Sequence, residues 1–198
     1  MQNQLSKKLA NNLTYAFTAQ VISFVCSVIM SLIVPKLLGI KQFSYWQLFI
    51  FYTTYVGLFH FGLSDGIYLR YGGIKQEELD KPLIGSQFRV MFSFHVLLAI
   101  AIIIVAPMIC SDANRVWVWI FTAIYIIVGN AFWYLGFVFQ AMNETKIYSI
   151  GTIISRASFI IFIVLLIFRK TDNFTPFAFL YTFAMALAVI YILIKDYN

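Results

Sequence analysis

The chain has 198 residues, of which 62% are hydrophobic and 11% are charged. A soluble domain is about 45–50% apolar and about 25% charged, so this composition excludes a water-soluble globular fold. The net charge of +6 does not indicate nucleic-acid binding, because Lys and Arg are spread over the polar breaks and form no single basic face. The sequence therefore predicts a protein whose main partner is the lipid bilayer.

Apolar runs recur along the chain between short polar breaks, and about 20 helical residues span the hydrocarbon of a bilayer. Within each run the apolar residues are continuous and do not alternate with polar ones, which favours helices over a β-barrel. We predict an all-α, polytopic transmembrane bundle that forms a single lobe over residues 1–198. Its six predicted helices cover residues 13–34, 43–63, 88–109, 116–139, 148–168 and 175–194.

The first predicted helix follows Lys7 and Lys8, an arrangement that superficially resembles a signal peptide. The apolar run over 13–34 is too long for one, and it predicts an uncleaved first span. Small side chains recur every four residues along it, at Ala19, Ser23, Ser27 and Ser31. Such a stripe is typical of a close helix-packing seam, or else of the wall of a cavity.

The second predicted helix ends near Gly62 and Gly66, whose spacing is that of a helix-dimerisation motif. Their position at a helix end favours helix termination instead. The longest connection follows at residues 64–87, where acidic and basic side chains are mixed. We predict that this connection is a cytoplasmic loop.

Two histidines fall at similar depths in the second and third predicted helices, His60 near Asp65 and His95 near Arg89. The four residues are consistent with a polar cluster on the cytoplasmic side of the bundle. A neutral histidine can equally lie against a backbone carbonyl or an aromatic ring with no further role. Asn130, near the middle of the fourth helix, must find a polar partner inside the bundle.

Arg156 lies within the fifth predicted helix, about 12–14 Å from the start of that helix at 1.5 Å per residue. A charged side chain at the centre of a membrane helix costs about 2.5–3.5 kcal/mol on insertion scales and usually faces the protein interior. One interpretation is a cation that binds an anionic headgroup in a water-filled cavity. The other is that Arg156 reaches the interface or pairs with Asp65.

The distribution of Lys and Arg predicts the orientation in the membrane. One side carries Lys7, Lys8, Arg70, Lys75, Lys81, Arg89, Lys146 and Lys195. The opposite side carries Lys36, Lys41, Arg115, Arg169 and Lys170. Because positive charge accumulates in the cytoplasm, both the N-terminus and the C-terminus are predicted to be cytoplasmic.

Enzyme signatures are missing from the sequence, including zinc-protease, nucleophile-elbow and phosphate-loop motifs. Seven of the eight acidic residues lie in predicted loops or at the chain end, which leaves no paired carboxylates in the membrane. We interpret Cys26 and Cys110 as small apolar packing residues, because two cysteines in apolar runs do not indicate a disulfide framework. We therefore expect no enzyme activity, no cofactor and no metal. The functions that remain are transport and membrane assembly.

Three stretches carry a resemblance to one family. Residues 34–39 (VPKLLG), 62–71 (GLSDGIYLRY) and 139–146 (FQAMNETK) resemble parts of the polysaccharide and oligosaccharide flippases of the multidrug/oligosaccharidyl-lipid/polysaccharide exporter superfamily. The first matches the family's P-x-x-L-G turn. The second resembles its G-L-x-x-G-x-x-R motif at the cytoplasmic end of helix two, with one additional residue before Arg70. The third, followed by the apolar residues from Tyr148 to Arg156, resembles the connection between helices four and five. Tyr45-Trp46 stands where the family often has Tyr-Gly.

The resemblance implies a protein with about 12–14 helices in two six-helix lobes around a central cavity. Such proteins reside in the bacterial cytoplasmic membrane and move an undecaprenyl-pyrophosphate-linked sugar unit across it for polysaccharide biosynthesis, including that of O-antigen and lipopolysaccharide. The cationic residues that would meet the pyrophosphate are Arg70 and Arg156, with Arg89 as a third candidate. Together with the polar cluster, the candidate substrate-binding set is His60, Asp65, Arg70, Arg89, His95 and Arg156.

On this interpretation the chain supplies one lobe. Its partners are the lipid-linked saccharide and a second six-helix lobe, which is its own C-terminal half, a copy of itself or a separate chain. The alternative is a noncatalytic membrane assembly subunit or a truncated, inactive transporter fragment. A glycan-modifying membrane enzyme is the weakest hypothesis, because the carboxylates and histidines form no recognisable catalytic set.

Overall fold

The computed structural model describes residues 2–74 and 76–196, with side chains described for 6–74 and 77–195. The described residues form helices and no strands, which confirms the all-α prediction. The α-helices are α1 (Gln2–Leu32), α2 (Val34–Tyr55), α3 (Leu63–Tyr71), α4 (Lys81–Ile109), α5 (Ala113–Ala141), α6 (Thr145–Phe168) and α7 (Phe174–Asp196). Two 3₁₀ segments cover Val56–His60 and Gln76–Glu78.

Five helices are long and apolar enough to cross a membrane, namely α1 from Ser6, α4, α5, α6 and α7. Their outward faces carry large apolar side chains, and on α4 these include Val90, Leu97, Ile104 and Met108. So much exposed apolar surface is far beyond what a water-soluble monomer presents. The fold is that of a multi-pass membrane protein.

One end of the bundle gathers the start of α1, the end of α3 and the turn between α5 and α6. Lys8 Nζ lies 2.6 Å from Glu144 Oε1, and Asn12 donates a hydrogen bond of 3.0 Å to the carbonyl of Asn143. The amide of Gly73 donates to the carbonyl of Ala141 over 2.9 Å. We call this the N-terminal end.

The opposite end gathers the start of α2, the turn before α5 and the start of α7. Gln42 Oε1 accepts a hydrogen bond of 3.2 Å from the amide of Phe174, and the hydroxyl of Tyr45 donates to the carboxylate of Asp112. That hydrogen bond, together with the one from the amide of Asn114, lowers the pKa of the Asp112 carboxyl. Successive membrane-crossing segments therefore run in opposite directions between the two ends of the bundle.

The second membrane-crossing segment, which we call the second pass, is interrupted after α2. This interruption corrects the predicted helix over 43–63 and the predicted loop over 64–87. Residues 43–63 were predicted as one helix, but α2 ends at Tyr55, a 3₁₀ turn follows, and Phe61 and Gly62 adopt φ of 48° and 75°. Beyond the break, α3 occupies residues 64–71 of the predicted 64–87 loop, and α4, which begins at Lys81, occupies its last seven residues. Gly62 thus lies at a helix end, as the terminator interpretation expects.

The buried positions of α3 have helical spacing. Ser64, Ile67 and Tyr71 are buried on one face, which packs against α5. Asp65 and Arg70 lie on the exposed face. The mixed charges that indicated a loop are therefore the outer face of an amphipathic helix.

α5 is the central helix and packs against α2, α3, α4, α6 and α7. Its glycines allow close approach of neighbouring side chains. A Cβ on Gly136 would lie 2.3 Å from Cδ2 of Tyr148, which is far inside van der Waals contact. The Tyr148 ring on α6 therefore packs directly against the Gly136 backbone of α5.

The small-residue stripe on α1 is only partly a packing seam. Ala19 is buried, whereas Ser27 and Ser31 are exposed. The buried positions of α1 instead recur every seven residues, at Asn12, Ala19 and Cys26. Residues four apart drift by about 40° per step around a helix of 3.6 residues per turn, so the predicted stripe leaves the interface.

Candidate functional site

Arg156 lies at the middle of α6. Because α6 begins at Thr145, earlier than predicted, the Cα of Arg156 lies about 16 Å along the helix axis. Its Nη1 donates a hydrogen bond of 3.0 Å to the hydroxyl of Tyr181 on α7, and its Cζ lies 5.7 Å from the centroid of that ring. The earlier helix start places the residue deeper, which removes the simple interfacial alternative.

Tyr181 is held in a cluster of aromatic rings from four helices. Its ring centroid lies 5.0 Å from that of Phe159, 5.8 Å from that of Trp46 and 5.9 Å from that of Phe49, and it stacks on Tyr125 at 5.5 Å. Trp46 and Phe49 are fully buried. The hydroxyl that meets Arg156 is thus fixed by α2, α5 and α6, in surroundings of low dielectric.

No carboxylate among the described residues pairs with Arg156. Within the part of the chain that the structure describes, the ion pair is Lys8 with Glu144, and Asp65 is exposed on α3. The predicted alternative in which Arg156 pairs with Asp65 is therefore wrong. A guanidinium carries five N–H donors in a planar fork that matches the oxygens of a phosphate, and a neutral phenol leaves its charge uncompensated.

Both histidines form hydrogen bonds with backbone groups at the break in the second pass. His95 is 1% exposed, and its Nε2 lies 3.0 Å from the carbonyl oxygen of Phe59, which can only accept. His60 Nδ1 accepts a hydrogen bond of 3.0 Å from the amide of Gly62. The structure therefore favours the interpretation of His95 as a core residue against a carbonyl.

Asn130 serves the same broken segment from α5. Its Nδ2 donates to the carbonyls of Val56, at 3.2 Å, and of Ile126, at 3.0 Å. This confirms that it finds partners inside the bundle. With His95, it satisfies backbone carbonyls that the 3₁₀ turn leaves free, as backbone at membrane depth requires.

A cleft of about 270 Å³ lies between α3 and the start of α4. Of the predicted residues, Arg70 lines it, and Arg89 and Asp65 do not, although all three side chains are exposed. Tyr71 and Gln87 also line the cleft, and neither was predicted. The seven-residue spacing from Ser64 to Tyr71 is the sequence signal for a buried face that could have identified Tyr71.

The predicted set thus separates into two places. Arg156 lies with Tyr181 in the middle of the bundle, and Arg70, His60 and His95 lie around the break and its cleft. Among the described residues, no group of three or more His, Cys, Asp or Glu side chains is placed to hold a metal ion. Cys26 and Cys110 are both free.

Comparison with known proteins assigns neither place a role, since no protein-family model, curated protein or solved structure matches the chain.

Proposed function

We propose that the chain is one lobe of a membrane transporter that moves a lipid-linked saccharide, an undecaprenyl-pyrophosphate-linked repeat unit, across the bacterial cytoplasmic membrane for polysaccharide biosynthesis. The observation that carries the proposal is Arg156, a cation at the middle of a membrane helix with a neutral hydroxyl as its hydrogen-bond partner. The sequence resemblance to the flippase family, described above, supplies the substrate.

The energetic argument concerns the missing counter-charge. A charge at membrane depth without an opposite charge is costly, so proteins retain one where an anion meets it during function. A pyrophosphate provides that anion. Its oxygens match the guanidinium fork, and the Arg156 hydrogen bond to Tyr181 holds the fork in place.

The exposed face of α1 supports a lobe within a larger assembly. Leu13, Phe17 and Phe24 are each about 70% exposed, and Gln20 is exposed near the middle of the same helix. A glutamine amide facing hydrocarbon is costly, whereas a second lobe or a hydrated cavity would satisfy it. Two lobes also allow alternating access around a site at their interface.

The first test replaces Arg156 in a strain whose surface polysaccharide depends on this protein. We expect Arg156→Ala to reduce export at least tenfold, because the charge that offsets the pyrophosphate is lost. Arg156→Lys should retain part of the activity, since it keeps the charge and loses the bidentate geometry. Surface polysaccharide is measured by immunoblot at matched protein levels.

Arg115→Ala is the matched control, because Arg115 is an exposed arginine at the opposite end of the bundle. It should export as the wild type does. Wild-type export from Arg156→Ala at normal expression would exclude the binding role, and a noncatalytic assembly subunit would then be the better hypothesis.

A further inference from the structure

Two residues that line the cleft beside α3 carry buried polar atoms without partners among the described residues. Tyr71 is 5% exposed, and its hydroxyl has no hydrogen-bond partner among the described residues. The Oε1 of Gln87, across the cleft on α4, is also buried and unpartnered within that part of the chain. A buried polar group left unpaired is costly, so two residues that line one cleft and each carry such a group indicate a ligand that reaches and completes them.

The same cleft is positively charged. Arg70 lines it, forms no ion pair with any described carboxylate, and has its Cζ 5.6 Å from the Tyr71 ring centroid. α3 begins after Gly62 without a side-chain cap, so its first amides and the positive end of its dipole add to this charge. Asp65, in the first turn of α3, does not line the cleft.

The cleft lies at the depth of lipid headgroups. α4 has 29 residues and a length of about 43 Å, against about 30 Å for the hydrocarbon core. Gln87 lies about 9 Å from the start of this helix, and so close to the boundary between headgroups and hydrocarbon. Phe61, which lines the cleft and is 70% exposed, provides apolar surface for an acyl chain.

We propose that this cleft binds a phosphate ester that carries a neighbouring hydroxyl, as the headgroup of an anionic glycerol or sugar lipid does. Arg70 supplies the charge for the phosphate, and the hydroxyl of Tyr71 donates to a phosphate oxygen. Gln87 Oε1 can only accept, so it takes a hydrogen bond from the hydroxyl of the headgroup. The inference does not require transport, because a resident membrane lipid offers the same groups.

The test measures thermal stabilisation of the full chain in detergent by dihexanoyl phosphatidylglycerol, since a ligand of the folded state raises the melting temperature. We expect saturable stabilisation by this lipid and none by dihexanoyl phosphatidylcholine, which lacks the hydroxyl and the net negative charge. Glycerol 3-phosphate is the soluble arm of the experiment. Stabilisation by it as strong as by the lipid would identify a soluble phosphate ester as the ligand of the same site.

Tyr71→Phe separates binding from folding. Without lipid its melting temperature should equal or exceed that of the wild type, because the variant removes an unpaired buried hydroxyl. Its affinity for phosphatidylglycerol should fall about tenfold, the effect of a lost hydrogen bond to a charged group. Arg70→Gln should weaken binding by a similar factor, and Arg115→Gln, the same charge change at the opposite end, should not.

Equal stabilisation of wild type and Tyr71→Phe would overturn the proposal, as would equal responses to phosphatidylglycerol and phosphatidylcholine or no response to any phosphate ester. None of these outcomes bears on the export assay of Arg156. Failure of the cleft and failure of the transport function are therefore distinguishable.

Discussion

Tyr181 orients the guanidinium of Arg156 without neutralising it. The hydrogen bond from Arg156 Nη1 restrains the guanidinium, and the rings around Tyr181 restrain the phenol. A carboxylate in place of the phenol would hold the arginine equally well, but it would compete with any incoming anion. The neutral partner therefore keeps the charge available at a fixed position.

Gly136 is a residue at which one added methyl group should have a large effect. Its Cβ would lie 2.3 Å from the Tyr148 ring, so the ring or α6 must move. We expect Gly136→Ala to destabilise the protein by about 1–3 kcal/mol, as overpacking of a filled core does. Thermal denaturation in detergent should show a melting temperature about 2–12 °C lower.

Gly85 provides the matched control on α4. A Cβ there would meet only Arg89 Nη1, at an ordinary 3.8 Å. Gly85→Ala should leave the melting temperature unchanged or raise it slightly, because alanine favours helix. Equal behaviour of the two variants would show that α5 and α6 do not pack as closely as described.

The second pass differs from the other helices because it is interrupted. The α2 segment stops at Tyr55, and the free carbonyls of the following 3₁₀ turn are bonded by Asn130 from α5 and His95 from α4. Discontinuous helices in membrane proteins commonly place helix ends at binding sites. Here the break positions the start of α3 beside the cleft.

Gly62→Ala tests this break through the sign of its effect. Gly62 has φ of 75°, a conformation that costs an L-residue about 1–2 kcal/mol, so the variant should lower the melting temperature. In a continuous helix over 43–63, the same change would raise it, because alanine has the higher helix propensity. Gly66→Ala, in ordinary helical conformation with open space around it, should be neutral or stabilising.

At the scale of the whole molecule, apolar side chains lie both inside and outside. α5 is buried on most of its faces, while α4 exposes large apolar residues along its length. The lipid takes the place of water as solvent, so hydropathy alone does not distinguish the inner helix from the outer ones. Contacts such as that of Gly136 with Tyr148 identify α5 as the inner helix.

Orientation is tested with fusions to reporter enzymes. A C-terminal alkaline phosphatase should be inactive and a C-terminal green fluorescent protein bright, because the charge distribution predicts a cytoplasmic C-terminus. Phosphatase fused after Lys170, between α6 and α7, should be active, since this connection lies at the opposite end. The reverse pattern at both positions would contradict the predicted orientation.

The sequence by itself determined that lipid surrounds the protein, that the fold is all-α, and where most of the helices lie. Runs of apolar residues must be helical in lipid, where every backbone amide needs a partner within the chain. It also placed Arg156 at depth and required a partner for Asn130.

Only the tertiary structure decided which polar residues meet. Helix-period patterns are local, whereas the hydrogen bond from Arg156 to Tyr181 joins residues on two helices, and so does the pairing of His95 with Phe59. The charges of 64–87 concealed α3 although Ser64, Ile67 and Tyr71 have helical spacing, and the packing against α5 decided that this face is buried. Tyr71 and Gln87 share one cleft through the packing of the bundle, which no spacing along the chain encodes.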